Sequence, residues 1–286
     1  MSYTTNVLSQ IASLEVFEYA GTERYDLKAW LANQNYFLDS QTDSTTIFSL
    51  SARDNGFWIG AANDCNRFAC AAFETISHIQ AHPRLAKSSA WNLIMAYYAS
   101  FYAMHALLRI FGMSYSQLEK PLMRKVIEIA NLSEETEKYK FEDGFYKIKF
   151  NKTNNVVDFK KRKDSHSDAW ESFLNLTNEI LEKVNGTTAL NSYKNDTLAL
   201  ISKLQENVTR SRCSTKGNWL SFIRNEVNYQ HSRGLWYPFS DRPRNLRILS
   251  SCSTAWLESE GFSAILPDNE IEAFAYSCLA LVGIST

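Results

Sequence analysis

With 286 residues, the chain can bury a core in one large domain or two modest ones without help from disulfides or metals. A net charge of −1 excludes a uniformly basic nucleic-acid wrapper, and five scattered cysteines without Cys-x-x-Cys spacing exclude a disulfide framework or a zinc module. The polar first eleven residues lack the basic start and apolar core of a signal or transit peptide, so a cytoplasmic location is expected.

Residues 1–60 form an N-terminal segment of unassigned role, with a helix expected over 22–33. The β-prone runs 45–50 and 57–59, separated by turn-forming residues 52–56, predict a hairpin there. From residue 61 to the end the pattern is helical, with an insertion around 131–210. One helix is expected over 63–81, stopped by Pro83, and a long one runs from Ser88 or Ser89 to Gly112. The long helix is apolar nearly all round. It approaches the length of a membrane span, but Asn92, Ser100, His105 and Arg109 interrupt it, so it reads as a core helix and no membrane contact is expected. Its small residues Ala96, Ala99, Ser100, Ala103 and Ala106 recur at three- and four-residue spacing, which suits close helix packing inside the chain or against a second subunit.

A further helix is expected over 116–130, followed by a charged irregular insertion or small hairpin over 131–165. Helices resume over 167–184 and 189–208, with shorter ones over 218–232, 245–258 and 269–282. The fold class is therefore all-α, or mainly α.

The chemistry gathers late in the chain. Between residues 209 and 247 eight basic residues stand against two acidic ones, so any polyanion site belongs here. Within this stretch residues 218–234 read NWLSFIRNEVNYQHSRG. On a helix turning 100° per residue, Arg224 and His231 lie about 20° apart, two turns from each other on one face. Asn228 lies between them and Ser221 one turn before, while Leu220, Ile223 and Val227 form an apolar stripe that docks on the core. A permanent guanidinium beside a titratable imidazole is a pairing suited to phosphodiester chemistry.

The order Arg224, Asn225 and then His231 resembles the motif of the HEPN superfamily, an Arg followed by four to six residues and a His. The aromatic, alanine-rich helix WNLIMAYYASFYAMHALLRIFG is similar to that family's tyrosine-rich core helix. The resemblance implies a helical bundle and a homodimer that brings two motifs together. It further implies metal-independent RNA cleavage without a cofactor, in a toxin or antiviral effector with an antitoxin or sensor protein as partner. Arg224, His231 and Asn225 are then the catalytic residues, with Asn228, Ser221 and Arg233 contacting RNA. Cleavage by the 2′-hydroxyl would leave a 2′,3′-cyclic phosphate and a 5′-hydroxyl. The alternative is a non-catalytic helical module of the same kind that binds a nucleotide or a partner protein.

Other candidates have plainer readings. Glu74, His78 and His82 at i+4 spacing read as an exposed polar stripe rather than a metal site, and His105 as a core histidine. The run Lys160 to Lys163 reads as a solvated loop, and Tyr229, Trp236 and Tyr237 as packing around the motif helix.

Overall fold

The computed structural model describes residues 3–13, 15–19, 25–41, 46–81, 89–132, 139–210, 216–230, 234–236 and 270–285. Helix accounts for 65 % of these residues, and the strands form one antiparallel sheet, so the mainly α expectation holds and the strictly all-α one does not. Two compact units divide the chain: Ala12–Arg67 with Leu107–Ser172, and Met1–Ile11 with Phe68–Ala106 and Phe173–Thr286. Residues 12–67 group with 107–172, and their strands share one sheet.

In the first unit, α2 (Glu15–Glu18) and α3 (Leu27–Asn33) precede β1 (Tyr36–Gln41) and β2 (Ile47–Ala52). Helix α3 starts where the Asp26 carboxylate accepts from the Ala29 backbone N–H at 2.7 Å, a side-chain cap for one of the helix's free donors. A hairpin is present: the expected run 45–50 overlaps β2, but its partner is β1 rather than residues 57–59. Phe57 to Ile59 open α4 (Gly56–Ala81) instead of forming a strand, and the Asp54 carboxylate accepts from the Gly56 N–H at 2.8 Å as that helix begins. Turn-type residues before an apolar run thus serve as a helix start here.

Residues 113–118, partly assigned to a helix from sequence, form β3 (Met113–Leu118), and helix α6 (Lys120–Asn131) starts only beyond them. The insertion supplies β4 (Gly144–Asn151) and β5 (Val156–Arg162), giving the sheet order β1-β2-β5-β4-β3. Burial alternates along β2, β4 and β5, so that Phe48 of β2 stacks on Phe159 of β5 at 4.6 Å and Tyr146 of β4 packs edge-on to Phe48 at 5.8 Å. Beside this face, Trp30 meets Phe57 edge-on at 5.5 Å. Gly60 lets α4 approach the start of α3, since an added Cβ would stand 2.8 Å from the Asp26 and Leu27 backbone.

The second unit is helical. Helix α1 (Tyr3–Ser9) packs on α8 (Asn191–Thr209), which also meets α9 (Trp219–Asn225) and the C-terminal α10 (Glu270–Ser285). Helices α7 (Ser167–Val184) and α8 fall within a residue or two of their sequence-based limits. The expected helix over 245–258 lies outside the described residues.

The long helix α5 (Ser89–Ile110) is the one helix among the described residues long and apolar enough to cross a membrane, and 72 % of its apolar window is buried inside the protein. Ala96, Ala99, Ser100, Ala103 and Ala106 are all fully buried within the single chain. The stripe is therefore used internally and offers no free face to a second subunit. Ser100 hydrogen-bonds Cys278 of α10.

Candidate functional site

The motif segment is one helix in two geometries. Residues Trp219–Asn225 are α-helical, and Glu226–Gln230 form a π turn with i→i+5 hydrogen bonding. The apolar stripe docks as expected: Trp219, Leu220 and Ile223 are fully buried and Val227 is 2 % exposed. Trp219 fixes the first turn, its ring meeting Phe274 edge-on at 6.4 Å and its Nε1 donating to Glu270 Oε1 at 3.3 Å.

The polar face differs from the sequence expectation. Arg224 is only 5 % exposed and Ser221 only 6 %, whereas Asn225 is exposed and Asn228 half-buried. Ser221 belongs to the packed side of the helix. His231 and Arg233 lie outside the described residues. The 100° step that aligned Arg224 with His231 does not hold through residues 226–230, because a π turn uses more residues per revolution.

What surrounds Arg224 is aromatic. Its guanidinium carbon lies 5.0 Å from the centre of the Tyr97 ring, 5.6 Å from Tyr98 and 6.0 Å from Tyr229. Tyr97 and Tyr98 come from α5, the helix that the sequence marked as tyrosine-rich. The Arg224 Nε is enclosed and has no hydrogen-bond partner, and no carboxylate pairs with the group among the described residues. Ring faces attract a guanidinium, but they provide no acceptor for its N–H donors. A single anionic oxygen at the residue's remaining opening would provide one.

The third ring is the one that sequence reasoning misplaced. Tyr229 was expected to pack, yet it is 67 % exposed. In a regular α-helix, residues five apart point about 140° away from each other. The π turn reduces this angle, and Tyr229 comes within 6.0 Å of the Arg224 guanidinium carbon. No sequence signal marks a π turn in advance. Trp236 does pack as expected, donating from Nε1 to the Val227 carbonyl at 2.6 Å, and Tyr237 lies outside the described residues.

His105 is buried between Phe68, stacked at 4.9 Å, and Phe101, edge-on at 4.6 Å. Glu74 and His78 are exposed on α4, His82 lies outside the described residues, and no three metal-ligating side chains gather among those described. Lys160 to Arg162 belong to strand β5 rather than to a loop, and Arg162 is engaged by Asp168 and Glu171. Comparisons of the chain with protein-family models, with curated proteins and with solved structures give no match.

Proposed function

We propose that this chain is a metal-independent endoribonuclease of the HEPN type, a homodimeric toxin or antiviral effector acting in the cytoplasm. In this reading His231 takes the proton of an RNA 2′-hydroxyl as that oxygen bonds to the adjacent phosphorus. The bond from phosphorus to the 5′ oxygen breaks, and His231 returns a proton to the leaving oxygen. Arg224 neutralises charge gathering on the non-bridging oxygens, and Asn225 orients the phosphate. Asn228 and Arg233 hold neighbouring backbone.

The observation that carries the reading is the state of Arg224. Among the described residues no carboxylate pairs with this buried guanidinium, so an incoming anion would complete it. Its position seven residues before His231, in the stretch with the chain's local basic excess, makes an RNA phosphate the fitting anion.

The test is incubation of the purified protein with total cellular RNA in excess EDTA. Cleavage that survives chelation and is lost in both Arg224→Ala and His231→Ala is expected. Light scattering should report a dimer, and mixing in excess His231→Ala subunits should depress activity beyond simple dilution, since a two-fold site shares its motifs. A second reading rests on the same Arg224: a nucleotide-binding module that holds a phosphate without cutting RNA. It predicts that Arg224→Ala alone loses binding and that His231→Ala changes nothing.

A further inference from the structure

We infer that Tyr229 is a stacking platform for one unpaired RNA base whose neighbouring phosphate lies on Arg224. The inference rests on the RNA-cleavage reading and names its substrate more narrowly. Three observations point to it. Tyr229 is 67 % exposed although it lies in the π turn beside the buried Arg224, so most of the residue is open to solvent. Its centroid is 6.0 Å from the Arg224 guanidinium carbon, a separation that a single sugar spans between a base and its phosphate. The π turn that places it there gives up regular helix geometry, a departure found frequently at functional sites.

The chemistry then selects the substrate. Within a duplex both faces of a base are covered by its neighbours, and a side chain cannot stack on it unless the base is splayed out. A single strand, a loop or a bulge offers a free face, and every base has one, so stacking on Tyr229 selects for unpaired structure rather than for sequence. The guanidinium supplies the fixed point, because it donates N–H hydrogen bonds to a phosphate oxygen while the base lies on the ring. Tyr97 and Tyr98 cannot take this role: Tyr97 is fully buried and Tyr98 half-buried on α5.

The experiment uses the full chain and an end-labelled RNA oligonucleotide in three forms: single-stranded, annealed to its complement, and single-stranded with an abasic nucleotide beside the mapped scissile phosphate. Wild-type protein should cut the single strand, leave the duplex intact and cut the abasic form slowly. By the usual effect of removing a base–aromatic stack, Tyr229→Ala should lose roughly five- to hundredfold in cleavage of the intact strand. Loss of the base should cost Tyr229→Ala little more, since one interaction cannot be removed twice. Tyr229→Phe keeps the ring and should stay close to wild type, which separates stacking from any role of the hydroxyl. Equal sensitivity of wild type and Tyr229→Ala to the abasic site would overturn the stacking role while leaving the nuclease reading in place. Efficient cutting of the duplex by wild type would overturn the selection for unpaired RNA. Failure of wild type to cut any of the three would overturn the nuclease reading and this inference with it.

Discussion

The Arg224 guanidinium carbon stands 5.0 Å from the centre of the fully buried Tyr97 ring, so the motif arginine is held against the chain's core helix. That placement sets function against stability. The three ring contacts, at 5.0, 5.6 and 6.0 Å, sit in the outer part of the range over which a cation and a ring attract.

Arg224→Met keeps a long flexible side chain against the tyrosines and removes the charge. With no carboxylate paired to it among the described residues, removal of the buried charge outweighs the lost ring contacts, so stability should rise by roughly 1–3 kcal/mol. RNA cleavage should disappear in the same variant. Urea unfolding and a cleavage assay on one preparation check both, and a variant that loses stability would make Arg224 a structural cation.

A second arginine behaves in the opposite way. Arg109 is 2 % exposed and faces the Asp64 carboxylate at 3.5 Å, and burial pushes its pKa below the ordinary arginine value while Asp64 opposes the shift. Asp64→Asn leaves this buried guanidinium without its carboxylate and should cost about 3–5 kcal/mol. Arg67 also binds Asp64, at 2.6 Å, but its side chain is 62 % exposed, and Arg67→Ala should cost no more than about 1 kcal/mol. Thermal melts of the two variants side by side decide whether Asp64 serves the buried partner or the exposed one.

Alkaline pH should weaken both units through their buried thiols. Burial pushes Cys65 up to about 11, with Arg109 pulling the other way, and pushes Cys278 up to about 12 against its hydrogen bond with Ser100. The folded protein therefore holds these protons more tightly than the unfolded chain, whose thiols titrate near 8.5. Their contribution is complete below that value and is lost as pH rises through 11 and then 12. Unfolding free energies between pH 8 and 11 (roughly the span from an ordinary thiol to Cys65) should fall less steeply in Cys65→Ala than in wild type. Identical slopes would remove Cys65 from the alkaline response.

Local pattern was legible in the sequence, and long-range pairing was not. The apolar spacing of α7 and α8 located both helices, and Leu220, Ile223 and Val227 were correctly assigned to the docked side of the motif helix. Met113 to Leu118 form a strand because β4 lies beside them, with Tyr115 opposite Lys147, and six residues carry no trace of such a partner. Likewise Phe57 to Ile59 are β-prone, yet their place is decided by burial against Trp30 and by the Asp54 cap. At the candidate site, residue types identified Arg224, but its burial and its nearness to Tyr229 depend on α5 and on a π turn.

The sheet order also bears on how the chain folds as it is made. Strand β2 pairs with β5, Phe48 opposite Phe159, so its neighbour lies about a hundred residues downstream. At ~5–20 residues per second, the ribosome releases β1 and β2 some ~5–20 s before β5 emerges. A two-stranded hairpin is marginal by itself in water. During that interval the nascent chain carries an open β2 edge flanked by Phe48 and Leu50, the state in which a chaperone binds and in which misassociation between neighbouring chains on one message begins.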